Sequence, residues 1–229
     1  MKRSLAFLTL VMSLAGCGGG GSTTPSAPVA STASFPLQNG YRALVLSAET
    51  YNFSISGSCA GTAAESVTAA TTTVSFEGAP ALQSTVSQQL TRTNCTPANL
   101  TTSTTTYLDP VTYLPVGSFT PGAEYVVVQG KPAPLPASVK VGDNAAVVGF
   151  NVYSDSSKSK LLGTRSATFT ITADTESTAT LTIITNDFEG TVLIGTQQTS
   201  YRISADGTLF LTKVDVVTNT GTHLILTRQ

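Results

Sequence analysis

Residues 166–172 read Ser-Ala-Thr-Phe-Thr-Ile-Thr, and this stretch decides the fold class. Its three apolar side chains, Ala167, Phe169 and Ile171, alternate with hydroxyl residues over seven positions. Because successive side chains of a β-strand point to opposite faces, the alternation predicts a strand with one buried and one wetted surface. Threonine suits the wetted surface, since it is β-branched and polar.

The same alternation continues on both sides of this strand. Residues 146–152 and 179–183 also carry apolar side chains at every second position. Asp206-Gly207 is a strong signal for a hairpin turn, and polar segments at 155–160 and 219–221 indicate two further turns. Short strands joined by short turns predict an antiparallel meander over residues 141–229.

Residues 37–130 are predicted to form an N-terminal β subdomain. Tyr51, Phe53 and Ile55 alternate with polar residues, and we expect this strand to pair with another strand at Tyr41–Ala48. Further strands are predicted at 71–77, 100–107 and 123–129, of which 100–107 is so rich in threonine that an exposed or edge position is expected. Residues 81–93 are ambiguous, since Leu82, Val86 and Leu90 have helical spacing, but their Thr and Ser content favours a strand.

A proline-rich connection at 131–140 lies between the two halves. Prolines 132, 134 and 136 cannot donate hydrogen bonds to a sheet. The connection either separates two subdomains or crosses within a single domain, and the sequence leaves both readings open. The predicted fold class is all-β, an antiparallel sandwich or barrel with a C-terminal meander.

Composition excludes several classes of function. The chain has 12 Lys and Arg, 13 Asp and Glu and no basic cluster, so it lacks the electrostatic footprint of a nucleic-acid-binding protein. Charged residues make up 11% of the chain, against about 25% in ordinary globular proteins. Tryptophan is absent and aromatic residues amount to 7%, which argues against an integral outer-membrane barrel with aromatic girdles.

The chain begins with the layout of a secretory signal peptide. Lys2 and Arg3 precede an apolar run over 5–14, and small residues follow, which predicts a signal peptide over 1–16. Residues 17–36 are mostly Gly, Ser, Thr, Pro and Ala, and this composition predicts a disordered tether.

The three cysteines have two different predicted roles. If Cys17 is committed to the processing site, Cys59 and Cys95 remain as an even pair in an oxidising compartment, where we expect a disulfide. In the chain-entropy model, a bridge across this separation stabilises the fold by roughly 3–4 kcal/mol. The rival reading, a metal or redox pair, lacks a Cys-x-x-Cys motif and a nearby histidine.

The segment Leu14-Ala-Gly-Cys17 resembles a bacterial lipobox. The resemblance implies acylation of the Cys17 thiol, cleavage before Cys17 and a further acyl chain on the new amino terminus. Gly18, in place of aspartate, resembles the signal for outer-membrane sorting. The layout of residues 53–61, 76–78, 94–97 and 113–115 is similar to that of uncharacterised Thr-rich envelope lipoproteins of Gram-negative bacteria, a resemblance that brings no assigned activity.

Groups for catalysis are sparse. His223 is the only histidine and lies in a predicted surface strand, so a Ser-His-acid triad has little support. Ser157 and Lys160 match Ser-x-x-Lys spacing, but in a polar hairpin loop. The acid pairs Asp187/Glu189 and Asp174/Glu176 are typical of loops. No catalytic residue, metal ligand or cofactor is predicted.

The sequence thus favours a lipid-anchored, non-enzymatic module of the cell envelope, with a binding or structural role. Its partners would be the membrane, through Cys17, and an envelope protein or a small apolar ligand. A lipocalin-like carrier of such a ligand is the alternative, and an envelope hydrolase is a third hypothesis.

Overall fold

The computed structural model describes residues 28–229. The signal peptide, Cys17 and Gly18 therefore lie outside the described residues, and the expectations about them stay predictions. The described chain forms one helix and thirteen strands, in the order α1 (Leu37–Leu46), β1 (Glu49–Gly57), β2 (Ala60–Val67), β3 (Thr72–Phe76), β4 (Ala79–Thr93), β5 (Asn99–Leu108), β6 (Pro115–Thr120), β7 (Glu124–Val128), β8 (Asn144–Tyr153), β9 (Leu161–Ala173), β10 (Thr178–Glu189), β11 (Val192–Ser204), β12 (Leu209–Thr218) and β13 (His223–Arg228).

Twelve of the strands close into an antiparallel barrel. From β4 to β13 each strand pairs with the next in sequence, and β13 then pairs with β1, whose partner β2 pairs with β4. The all-β prediction is confirmed, and of its two alternatives the barrel is the one observed. The meander predicted for the C-terminal half extends through almost the whole ring, and the predicted edge strand at 100–107 is instead flanked on both sides, by β4 and β6.

Strand β3 is the one strand of the described chain outside the ring. It forms a hairpin with the first residues of β4 and lies against the outer wall. Phe76 stacks on Tyr107 with ring centroids 4.2 Å apart. Gly117 of β6 leaves space for the ring of Phe76, because a Cβ atom at this position would overlap that ring.

The prediction of a strand at Tyr41–Ala48 is wrong, because this segment lies mostly within helix α1. Leu37, Tyr41, Leu44 and Val45 are spaced as on one face of a helix, and these four side chains face the barrel interior. Gly40 allows the helix to approach the turn between β11 and β12, since a Cβ atom would overlap the carbonyl oxygen of Gly207.

Part of the predicted tether is also ordered. Val29 forms a β-bridge with Asp174, and Phe35 forms one with Val139 and is fully buried. Phe35 and Leu37 are large apolar groups that pack with Phe169, Ile171, Leu181 and Ile203. The composition of 17–36 as a whole hides these contacts, because they depend on partners more than a hundred residues away.

Helix α1 and the proline-rich connection cover one end of the barrel. Residues 131–140 join β7 to its neighbour β8, so the two halves of the chain share one sheet. Leu135 and Val139 of the connection pack on the same core as Phe35 and Leu37. We call this the covered end. The opposite end, where short turns join the strands, is the turn end.

A disulfide joins Cys59 and Cys95 at the turn end, as predicted, with Cα atoms 5.7 Å apart. It links the β1–β2 turn to the β4–β5 loop, across two strands that pair in the ring. Within residues 28–229, no helix is both long and apolar enough to cross a membrane.

Candidate functional site

The inner and outer walls of the barrel have different chemistry. Strand β9 places Arg165, Ala167, Phe169 and Ile171 toward the interior, while threonines and Ser166 alternate with them on the outside. Strands β1, β4 and β5 likewise present mainly Ser, Thr, Asn and Gln outward. Hydroxyl and amide groups prefer water to an apolar medium. The apolar face of the meander is therefore the lining of the barrel.

The interior, here called the lumen, contains three connected chambers. Pro115 lines all three, and Tyr41, Thr106 and Phe150 each line two. The chambers have volumes of about 150, 490 and 460 Å³. Pockets for small molecules in proteins measure roughly 300–1,000 Å³, so the two larger chambers fall within that range.

The smallest space, the apolar chamber, lies next to the covered end. Its lining is almost entirely aliphatic and aromatic, and it includes Leu37, Leu114, Leu135, Phe150, Ala167, Phe169, Leu181 and Ile183. A cavity of about this volume lined by similar side chains stays free of water and accepts a molecule of the size of benzene. The apolar chamber can therefore hold a small ring or a short alkyl group.

The space of about 490 Å³, the tyrosine chamber, combines aromatic rings with carboxyl groups. Tyr41, Tyr51 and Tyr201 line it together with Glu49 and Glu65, and Ser, Thr and Gln side chains of β4, β5 and β11 complete its wall. Gln88 Nε2 donates a hydrogen bond of 2.9 Å to Glu65 Oε2. This chamber can recognise a polar group through rings, hydroxyls and carboxylates.

Burial changes the titration of these groups. It raises the pKa of Tyr41 to about 12, and burial followed by the charge of Glu49 raises the pKa of Tyr51 to about 12. Burial also raises the pKa of Glu65 above its ordinary value, while the hydrogen bond from Gln88 opposes that shift. The tyrosines therefore stay neutral at physiological pH. The hydrogen bond from Gln88 offsets only part of the cost of removing ionised Glu65 from water.

The third space, the arginine chamber, lies toward the turn end. The Nη1 and Nη2 atoms of Arg165 each donate to a carboxylate oxygen of Glu124 at 3.0 Å, and its Nε donates to Asp187 Oδ1 at 2.5 Å. Burial alone would lower the pKa of Arg165, but the hydrogen bonds to both carboxylates raise it above its ordinary value. The guanidinium is thus permanently charged and held by two acids.

The sequence candidates for catalysis are not assembled into a site. His223 Nε2 lies 2.9 Å from Asp215 Oδ1, close to the turn end, and its side chain is half exposed. Ser157 and Lys160 lie in the exposed β8–β9 loop, where the Ser157 hydroxyl donates to Asp155 Oδ1 at 2.5 Å. Neither pair lines one of the three chambers.

The two acid pairs are separated by the fold as well. Asp187 faces the arginine chamber, whereas Glu189 is exposed where β10 ends. Asp174 accepts hydrogen bonds from Thr178 and Arg202, and Glu176 is exposed in the same turn. Among residues 28–229, no group of three or more His, Cys, Asp or Glu side chains is arranged to hold a metal ion.

Sequence reasoning missed the polar residues of the lumen. Arg165 has the same phase as Ala167 and Phe169, and Glu65 has the same phase as Ala63 and Val67. Following each period-2 pattern past its apolar part would have placed both side chains on the inner face.

Comparison with protein-family models, with curated proteins and with solved structures finds no match to this chain. Its function must therefore be inferred from the lumen itself.

Proposed function

We propose that this protein is a lipid-anchored, non-enzymatic binding protein of the bacterial envelope that carries a small molecule in its lumen. The ligand would be amphipathic, with an apolar part in the apolar chamber and a polar part in the tyrosine chamber. The single observation that carries the proposal is a closed barrel whose interior holds connected apolar and polar chambers.

The shape of the lumen supports one elongated ligand. Tyr41 and Pro115 line both the apolar and the tyrosine chambers, so a molecule can reach from one to the other past these two side chains. Mostly apolar walls with a few convergent polar groups are typical of small-molecule sites, in which the polar groups determine orientation.

Two further features support a carrier over an enzyme. The lumen contains no histidine, and Arg165 is bound to two carboxylates, so no group in the described lining is evidently prepared to attack a substrate. The outward Ser, Thr, Asn and Gln side chains of β1, β4 and β5 are consistent with a barrel that stands in water, and the lipobox resemblance at Cys17 would supply its attachment to the outer membrane.

The test is native mass spectrometry on residues 18–229, the mature chain without its lipidation cysteine, exported to the periplasm with a signal peptide that lacks the lipobox. We expect the folded protein to carry an additional mass that disappears on denaturation. Ile183→Trp, which places a bulky ring in the apolar chamber, should remove that mass. Ile184→Trp is the matched control, because position 184 is next along β10 and faces outward.

A wild-type barrel that carries no additional mass, and that takes up no small amphipathic molecule added at millimolar concentration, would contradict the carrier function. It would leave an envelope protein as the expected partner. Equal loss of the mass in both variants would show that the molecule is not bound in the apolar chamber.

A further inference from the structure

The tyrosine chamber has an unbalanced charge. Glu49 and Glu65 face it, and its described lining contains no lysine, arginine or histidine. The guanidinium of Arg228 lies 4.9 Å from the centre of the Tyr51 ring, but Arg228 is not part of the lining. Arg165 lines both the apolar and the arginine chambers, and its charge is paired with those of Glu124 and Asp187.

Several polar atoms in this chamber have no protein partner. Within the described chain, Glu65 is hydrogen-bonded through Oε2 to Gln88, and its second oxygen accepts no hydrogen bond. The hydroxyl groups of Tyr41, Tyr51 and Tyr201 likewise form no hydrogen bond to residues 28–229. Tyr51 is only 6% exposed, yet it lines the chamber. None of these atoms is fully buried, so they face the open space of the chamber, where a ligand can reach them.

The three rings and Glu65 are close enough to influence one another. Burial raises the pKa of Tyr201, and the neighbouring Tyr41 and Tyr51, followed by the charge of Glu65, add to this shift. Aromatic rings with a nearby carboxylate attract cations, because the negative face of each ring and the carboxylate act in the same direction. An anionic ligand would instead meet two carboxylates of the same sign.

We propose that the polar end of the carried ligand is an organic cation, an amine or a quaternary ammonium group, bound among Tyr41, Tyr51, Tyr201 and Glu65. This inference rests on the proposed carrier function and specifies its ligand class. The cation supplies the charge that the lining lacks, and its apolar substituent extends past Tyr41 into the apolar chamber. Both parts of the lumen are then occupied by one molecule.

The experiment measures binding of three probes with the same ring and different charge: benzylamine, benzyl alcohol and phenylacetate. Isothermal titration calorimetry and saturation-transfer NMR are carried out at pH 7 on residues 18–229, the mature chain without Cys17, after any co-purified ligand has been dialysed away. We expect benzylamine to bind roughly ten- to thirtyfold more tightly than benzyl alcohol, and phenylacetate to bind most weakly.

The variant Glu65→Gln should remove most of this preference for the amine, because it keeps the size of the side chain and abolishes its charge. Binding of benzyl alcohol should hardly change. Glu176→Gln is the matched control, since it makes the same charge change at an exposed turn outside the chambers. It should leave the preference intact.

The outcomes separate this inference from the carrier function. Equal binding of benzylamine and benzyl alcohol, or an unchanged preference in Glu65→Gln, would overturn the cation site and leave the carrier function standing. Failure of all three probes to bind would contradict both. Tightest binding of phenylacetate would reverse the assigned ligand charge.

Discussion

Glu65 is expected to destabilise the folded protein and, at the same time, to bind the proposed cationic ligand. Its carboxyl group is partly buried in the lumen near Tyr51 and Tyr201, and one hydrogen bond from Gln88 compensates it only in part. A buried charge without a full set of partners destabilises a fold. Such a residue is expected where function needs it, because stability and activity are often in conflict at binding sites.

The pH dependence of stability should reveal this cost in the ligand-free protein. Burial raises the pKa of Glu65 above its ordinary value of 4.5, so ionisation is easier in the unfolded chain than in the folded one. Its contribution to stability is therefore complete below pH 4.5 and is lost as the pH rises through the higher folded pKa. We expect Glu65→Gln to have a higher melting temperature than the wild type at pH 7 and a similar one at pH 4.

The comparison is made by differential scanning calorimetry, with Glu176→Gln as the exposed control. That control should follow the wild type at both pH values. A melting temperature for Glu65→Gln below that of the wild type at pH 7 would mean that ionised Glu65 is stabilised by contacts other than those described.

At the scale of elements, Arg165 connects three strands. From β9 its side chain reaches Glu124 on β7, across β8, and Asp187 on the neighbouring β10. The side chains of Arg165 and Glu124 are 23% and 24% exposed, so their interaction is only partly screened by water. It fixes the spacing of these strands at the part of the lumen nearest the turn end.

Arg165→Met should therefore destabilise the barrel by about 1–3 kcal/mol, because two carboxylates would be left facing each other without their cation. Arg202→Met is the matched control: Arg202 is 52% exposed and pairs with Asp174 alone, so its loss should cost less than about 1 kcal/mol. The measurement is urea unfolding followed by circular dichroism. Equal destabilisation in the two variants would contradict a special role for Arg165.

The elements that could be predicted from sequence are those with a local signal. Residues 166–172 alternate so regularly that the strand and its inner face follow directly, and Asp206-Gly207 fixes a hairpin. Helix α1 was missed because ten residues are too few for a stable isolated helix, so its formation depends on packing against the barrel end.

The candidate site was harder to predict than the strands. The inward direction of Arg165 follows from its phase with Phe169, but its pairing with Glu124 depends on which strands are neighbours in the ring. The meeting of Glu65 with Tyr201 depends on closure, since β2 and β11 are distant in sequence. The sequence does indicate the inner face, whereas the chambers arise only from the closed ring.

At the scale of the whole molecule, closure depends on the last strand. β13 pairs with β12 on one side and with β1 on the other, so its removal would expose the edges of both neighbours. We expect a chain that lacks residues 223–229 to aggregate or to remain unfolded after export, as measured by size-exclusion chromatography and near-ultraviolet circular dichroism.

Removal of Gln229 alone is the control for this truncation, because it deletes one backbone hydrogen bond, to Asn52, and keeps all of β13. That chain should remain monomeric and folded. A folded monomer without residues 223–229 would show that eleven strands can close the ring.

The covered end also determines from which side a ligand would enter and leave the lumen. Val29 is fixed by its bridge to Asp174, and Phe35 packs with Leu37 of α1, so the chain toward the proposed anchor at Cys17 departs from that end. The eleven residues between Cys17 and Val29 can span at most about 40 Å. An anchored barrel would then stand with its covered end toward the bilayer and its turn end toward the aqueous compartment. The ligand would be exchanged with that compartment, or with another protein docked there, and would not be taken up directly from the bilayer.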